Sequence, residues 1–444
     1  MGSARSSTSN PDLLRLPEAI SGASVRVFAC LGGDDLASEL GALQVGEAAA
    51  TARRLLPATA KLQVPLAWEE SIARLVASHP RVTVYGWSPR GEGVHLLLTA
   101  TVHDLEECAK ALCRSDGPAG LLGRDMRDQL SHIYPRTYGS LTAGGRCVDF
   151  SVKTGIMGIL NVTPDSFYDG GRFVEPPVAL ERAHQMAEEG ADIIDIGGQS
   201  SRPGSEPVPE AEEARRVLPV VEAVASSVRA IISVDTYRAA IARAALDAGA
   251  HLINDISALR GDPPLLEVVA TRQAPLILMH MKGMPRDMHL NPTYEALIDD
   301  VFAFLQERLR TAQAGGVAAA RLLIDPGIGF GKGAHHNLEV LRKLHHFHAL
   351  GRPIVIGTSR KSFIGRILGT EVEERLEGTA ATVAAAIMQG ASVIRVHDVG
   401  AMARVARMMD ALVRPNFTLQ PKDQGLARRG QAVPNRQEKE SGRC

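Results

Sequence analysis

From residue 150 onward the chain repeats one hydropathy pattern eight times: a short apolar run ending in polar residues, then a stretch with helical spacing. The runs are IMGILN (156–161), DIIDIGG (192–198), AIISVD (230–235), HLIND (251–255), LILMH (276–280), LLIDP (322–326), PIVIGT (353–358) and SVIRVHD (392–398). Apolar runs that do not alternate with polar residues mark strands buried on both faces. Between them lie helix-like stretches such as ALERAHQMAEEG, RAAIARAALDAG and GTAATVAAAIMQG. The junctions EEGADIIDI, DAGAHLIND and MQGASVIRV set Gly190, Gly249 and Gly390 where a left-handed helix cap would precede a new strand. Eight such units in about 260 residues predict a closed parallel sheet, a (β/α)8 TIM barrel over 150–414.

Ahead of the barrel the pattern is different. Residues 1–20 are rich in Ser, Pro and Asn and are expected to be disordered, as is the polar tail 415–444. Over 21–145 a helical stretch, ASELGALQVGEAAATARRLL, precedes the strand candidates RVTVYGW and VHLLLTATV, separated by SPRGEG. The amphipathic HDLEECAKALC follows, so this region predicts a small α+β domain with a β-hairpin. LTAGG at 141–145 is expected to be a linker. The predicted fold is therefore α/β, a TIM barrel preceded by a small α+β N-terminal domain.

Composition narrows the function classes. A chain of 444 residues with 45% hydrophobic residues can bury a large core, and its formal charge of -1 gives no field for nucleic acid. No apolar run nears the roughly 18 residues of a membrane span, and MGSARSSTSNPDLL lacks the apolar centre of a secretory signal. The cysteines, Cys30, Cys108, Cys113, Cys147 and Cys444, show no CxxC spacing and predict a reduced, cytoplasmic protein.

The chemistry gathers at the strand ends, where barrels of this kind carry their active sites. Those ends offer Asn161, Asp195, Asp235, Asn254 with Asp255, His280, Asp325, Ser359 to Lys361, and Arg395 with His397. Amides and carboxylates can read a hydrogen-bonding heterocycle, and Lys, Arg and His can hold phosphate. Asp195 and Asp255 could equally brace loops, and His280 could stay within the core. Arg395 and His397 alternate along a strand and share a face, which suits either an ion pair or phosphate. GIGFGK (327–332) fails the phosphate-loop pattern, with Pro326 in place of the first glycine and Gly333 after Lys332; it predicts a tight turn. His335, His336, His345, His346 and His348 are expected to form a solvated helix face and not a metal site.

GILNVTPDSFYDGGRF (158–173) and GADIIDIGGQSSRPGSEPV (190–208) resemble the two signatures of the dihydropteroate synthases. SVDT (233–236), IND (253–255), LMHMKG (278–283), IDPGIGFGK (324–332), GTSRKSFIG (357–365) and RVHDV (395–399) follow in the family's order. The resemblance covers the barrel and none of the first 145 residues. It implies condensation of 6-hydroxymethyl-7,8-dihydropterin pyrophosphate with p-aminobenzoate, giving 7,8-dihydropteroate and pyrophosphate, in a sulfonamide-target enzyme of folate synthesis. By the same resemblance Asp235, Asn254, Met279, Asp325 and Lys361 bind pterin, while Asn161, Arg395 and His397 hold pyrophosphate, with Mg2+ on Asn161. Phe167, Ser201, Arg202, Pro203 and Ser362 form the p-aminobenzoate pocket, and Asp165, Asp169, Arg202 and Lys361 carry the catalysis. A homodimer is expected, with no nucleic-acid or membrane partner. The family's GGESTRPG reads GGQSSRPG here, so Gln199 removes a carboxylate, and Met284 stands where a threonine is common. Two rival functions are weighed: a methyltetrahydrofolate-dependent methyltransferase, which shares the pterin-reading barrel but handles no pyrophosphate, and a catalytically inactive paralogue acting as a scaffold. The loops TPDSFYDGG and SSRPGSEP with Arg395 and His397 argue against the first, and the intact Asn161, Asp235, Asn254, Asp325, Lys361, Arg395 and His397 against the second.

Overall fold

The computed structural model describes residues 24–29, 56–64, 79, 81–87, 94–115, 118–133, 139–163, 176–199, 205–206, 208–283, 288, 290 and 292–414. The expectations for 1–20, for most of the helical stretch at 37–56 and for 415–444 lie outside these residues.

The N-terminal unit is an antiparallel sheet of β1 (Ser24–Ala29), β2 (Pro57–Val64), β3 (Thr83–Trp87) and β4 (Val94–Thr101), in the order β1-β2-β4-β3. Two helices, α1 (Val102–Cys113) and α2 (Pro118–His132), pair with each other behind it. Thr101 caps α1, its hydroxyl accepting from the Asp104 amide at 3.2 Å. Alternate residues of β2, Ala58, Ala60, Leu62 and Val64, are buried, as are Leu105, Cys108 and Leu112 of α1. β1, β2 and α2 are additions to what the sequence pattern predicted.

The stretch expected to be a linker is instead a hairpin, β5 (Ser140–Ala143) and β6 (Arg146–Asp149), turning at Gly144 and Gly145 with φ of 56° and 73°. Leu141, Ala143 and Val148 alternate with exposed residues along it. With Phe150 they pack onto one residue from each barrel strand: Met157, Ile193, Ile231, Leu252, Ile277, Leu323, Val355 and Val393. The hairpin is thus the floor of the barrel. Burying Leu, Val and Phe side chains stabilises by roughly 1.5–3 kcal/mol each, so this plug is a substantial part of the core.

Eight strands form the barrel: β7 (Gly155–Asn161), β8 (Ile193–Gly197), β9 (Ile231–Asp235), β10 (Leu252–Asp255), β11 (Leu276–Met279), β12 (Leu322–Asp325), β13 (Val355–Ile356) and β14 (Val393–Val396). They pair in parallel in the order β12-β11-β10-β9-β8-β7-β14-β13, and the bridge Ile324–Ile354 closes the ring. Around it run α3 (Pro176–Glu189), α4 (Glu210–Ser227), α5 (Ala239–Asp247), α6 (Leu265–Arg272), α7 (Leu297–Ala314), α8 (Ala334–Arg342), α9 (Ser362–Leu368), α10 (Leu376–Met388) and α11 (Val399–Val413). Gly190, Gly249 and Gly390 take φ of 108°, 103° and 91°, the left-handed conformation expected of them. The last helix is tied back to the start of the first barrel strand. Asp410 accepts from the Thr154 amide (2.8 Å) and hydroxyl (2.7 Å), and Arg414 joins Asp410 (2.7 Å) to the Phe150 carbonyl (2.6 Å).

The N-terminal unit and the barrel share one continuous apolar core. β1 and α2 lie against the 3-10 segment Leu344–Leu350, and ion pairs Lys61–Asp299 and Arg310–Asp125 (2.5 Å) join the unit to α7. This corrects the expected solvated histidine face. His345, His346 and His348 are buried because the N-terminal unit covers their segment. His345 Nδ1 meets Gln389 Oε1 at 2.6 Å and His348 Nε2 meets the Gln389 carbonyl at 3.0 Å. No cluster of metal-binding side chains is found among the described residues, nor any helix long and apolar enough to cross a membrane.

Candidate active site

Strand geometry turns the apolar floor into a polar site within two residues. Side chains two apart on a strand share a face. One step above the floor layer, the inward positions therefore become Ile159, Asp195, Ser233, Asn254, Met279, Asp325, Gly357 and Arg395. A further step reaches Asn161, Gly197, Asp235, Ser359 and His397 at the mouth.

Charge organises this layer. Arg395 Nε donates to Asp195 Oδ2 at 2.7 Å and Nη2 to Asp235 Oδ2 at 2.9 Å. Asn254 Nδ2 donates to the same Asp195 oxygen at 3.0 Å. Asn254 thus turns its amide nitrogen to Asp195 and keeps its oxygen for other partners. Asp195 thus braces the site from inside the barrel. Burial pushes Asp235 up from the usual carboxylate range, aided by Asp195, against the pull of Arg395. Ser233 Oγ and Asp195 Oδ1 are buried without a hydrogen-bond partner among the described residues, as expected of a pocket floor built for polar groups.

Opposite them stand Asp325 and Lys361. Asp325 Oδ1 accepts from the Gly327 amide at 2.7 Å, and burial raises its pKa against the opposing charge of Lys361. Lys361 donates to the Ile328 carbonyl and lies 4.8 Å from the Phe330 ring centroid. Burial lowers its pKa to about 8, with Asp325 pulling the other way. Arg360, in the left-handed region at φ 53°, sets the turn before it and grips Asp398 with two bonds of 2.8 and 2.9 Å. Ser362 opens α9 beside Lys361 and is exposed.

Met279 is buried in an apolar wall with Ile256, Met281 and Met288, flanked by Tyr237 and Phe330. His397 rests its Nδ1 on Ser359 Oγ at 3.0 Å. Asn161 ends β7 next to Gly197; a Cβ built on Gly197 would lie 3.7 Å from Asn161 Oδ1 and 3.9 Å from Asp235 Oδ2. Two oxygens therefore flank one bare Cα. Asp165, Phe167, Asp169, Ser201, Arg202 and Pro203 lie outside the described residues, as does Met284. Gln199 is described, and its buried Oε1 has no partner among the described residues.

Of the other strand-end candidates, Asp255 braces a loop. Its oxygens take the Ser257 amide and hydroxyl (both 2.7 Å) and the Leu259 amide (2.6 Å), where Ala258 and Leu259 adopt φ of 52° and 67°. His280 is in the core, with its Nδ1 2.8 Å from Lys332 Nζ. Lys332 and Phe330 are the contributors that strand-end reading did not name; Ser359 and Arg360 were among the strand-end candidates without an individual role.

A model of the family described as pterin binding enzyme matches residues 157–397. A dihydropteroate synthase of Synechocystis is 45% identical over 291 residues, covering 65% of this chain and all of that protein. A Yersinia pestis dihydropteroate synthase solved with a sulfonamide drug superposes with a TM-score of 0.59 at 44% identity, over 62% of this chain and 98% of the other. The Xanthomonas albilineans dihydropteroate synthase with 4-aminobenzoic acid gives 0.59 and 42% over the same shares.

Proposed function

The chain belongs to the dihydropteroate synthases among the pterin-binding enzymes, a family of transferases in folate synthesis, and from that premise we propose how its residues divide the work. The supporting observation is the polar set above an apolar floor, with Asn254 and Asp325 in the layer next to it, Asp235 at the mouth and Lys361 just before α9. An amino-pyrimidinone edge carries donors and acceptors in a fixed order. Asp235, Asp325 and the outward oxygen of Asn254 accept from its N–H groups, and Lys361 donates to its carbonyl side. Met279 supplies an apolar face to the ring.

Arg395 and His397, with Asn161, take the pyrophosphate. As pyrophosphate leaves the pterin methylene, the C–O bond breaks and negative charge grows on the departing oxygen; Arg395 offsets it from a position already fixed by two carboxylates. Positive charge grows on the pterin side, where Asp165 and Asp169 of the first signature balance it. The amine of p-aminobenzoate attacks the methylene carbon, a C–N bond forms, and the amine's proton passes to water or the departing pyrophosphate, so the chemistry needs no side-chain nucleophile. Phe167, Ser201, Arg202, Pro203 and Ser362 hold the aminobenzoate. The Oδ1 oxygen of Asn161, beside Gly197 at the barrel mouth, suits Mg2+, which prefers oxygen donors and shares its shell with phosphate and water. Asn161 would hold it, and bound Mg2+ would neutralise charge on the leaving group.

We carry forward a homodimer, consistent with Met388, Met408 and Leu412 standing exposed on α10 and α11. A cytoplasmic setting is carried forward from the cysteine spacing, which holds no CxxC pair. Pyrophosphate release measured with and without p-aminobenzoate tests the reading. Release that ignores p-aminobenzoate, or none at all with pterin bound, would return the chain to a scaffold or another pterin-binding activity.

A further inference from the structure

We infer that Lys332 is a positioning residue of the pterin pocket: its buried amine is the post around which residues 325–332 wind to place Asp325 and Lys361. The inference rests on the pterin reading above. Lys332 Nζ lies 2.8 Å from His280 Nδ1, 3.0 Å from the Gly327 carbonyl and 3.2 Å from the Phe330 carbonyl. As an ammonium it gives one proton to each. As a neutral amine it gives two and takes the third from His280. Either way every valence is met, which is why so polar a group is tolerated at 7% exposure.

What the amine gathers is what the pocket uses. Gly327 turns its amide to Asp325, fixing one carboxylate oxygen and leaving the other. Ile328 presents its carbonyl to the Lys361 amine. Phe330 sets its ring beside that amine. The next turn is held from the other side, with the Gly329 amide on Asn337 Oδ1 at 2.8 Å. The β11 end enters through His280, whose amide donates to the Asp325 carbonyl at 2.9 Å. No other described side chain bonds both carbonyls of this turn, so its path past Lys361 depends on Lys332. Burial pushes the amine well below the ordinary lysine value, with Asp325 acting in the opposite sense.

The test uses the full chain, with calorimetric affinity for 6-hydroxymethylpterin and steady-state KM values. Lys332→Met should raise the pterin Kd and the KM for dihydropterin pyrophosphate about tenfold or more, the scale of a misplaced charge-assisted hydrogen bond. The KM for p-aminobenzoate should stay within about twofold, because the contacts of Lys332 are to His280, Gly327 and Phe330 and none is to Ser362. His280→Leu, which removes the third partner, should weaken pterin binding in the same direction. His280→Asn, which restores a polar atom near Nδ1, should recover it. If Lys332→Met does not fold, as judged by circular dichroism, the His280 pair decides. Wild-type affinity in Lys332→Met, equal losses in both KM values, or identical pterin affinity in the two His280 variants would each overturn the inference. A wild-type chain that binds no pterin would instead overturn the pocket reading.

Discussion

Arg395 Nε and Asp195 Oδ2 lie 2.7 Å apart, with the carboxylate wholly buried and Asn254 on the same oxygen. Breaking a buried pair by removing one partner typically costs about 3–5 kcal/mol, because the remaining charge stays desolvated. Asp195→Ala should therefore lower the thermal midpoint by about 4–6 °C in a unit of this size. It should also weaken pterin binding, since the Asn254 amide loses its orientation. A variant with an unchanged melting curve would show that Asp235 alone suffices for Arg395.

Lys361 makes pterin binding sensitive to alkali. Its amine has a pKa of about 8 in the free protein, and a bound carbonyl would favour the charged form. Binding then takes up a proton, so affinity is retained below that pH and falls as pH rises through it. Lys361→Ala should bind pterin more weakly by about 1.5–3 kcal/mol and show no such fall. Calorimetry from pH 7 to 9 on both proteins measures this; parallel curves would remove Lys361 as the titrating group.

Gly327 should not tolerate a side chain. Its φ is 72°, and an added Cβ would come within 1.9 Å of the His280 carbonyl oxygen. Gly327→Ala must shift the turn that carries the Asp325 partner amide, at a cost of about 1–3 kcal/mol in stability. Pterin affinity should fall with it. Thermal denaturation showing no loss would mean the turn relaxes freely.

Truncation should separate the floor from the appendage. Deleting residues 1–138 keeps the hairpin but uncovers the segment holding His345, His346 and His348, giving a folded barrel with a lower melting point. Deleting residues 1–152 also removes Leu141, Val148 and Phe150 from beneath the barrel and should abolish the cooperative transition. Equal melting points for the two truncations would argue that the hairpin is dispensable.

The barrel was legible in sequence because the strands are buried on both faces and polar residues stand at or just beyond their ends, so the hydropathy pattern marks eight repeats. β13 was the weakest case: six residues read as strand, but only Val355–Ile356 and the bridge at Ile354 pair. The hairpin was missed although Leu141, Ala143 and Val148 alternate with polar residues around Gly-Gly, because four-residue strands beside glycines look like a linker. His345, His346 and His348 misled for another reason. Their burial comes from a unit distant in sequence, which no local pattern reports. Lys332 was hidden by its glycine neighbours, since nothing local separates a lysine in solvent from one enclosed by its own loop. The site residues on strands were read from their place at the strand ends and from the family signatures; those of the two signature loops lie outside the described residues.

The tie from Asp410 and Arg414 to Thr154 and Phe150 brings the beginning and end of the barrel together at the face opposite the chemistry. A chain closed in this way has no natural first strand. Joining residue 414 to residue 139 by a short linker and opening a helix–strand connection elsewhere at the floor, such as 314–318, would yield a permuted barrel with its mouth untouched. The same geometry gives an evolutionary freedom: sequence can be added before the hairpin or after the last helix without crossing the catalytic rim.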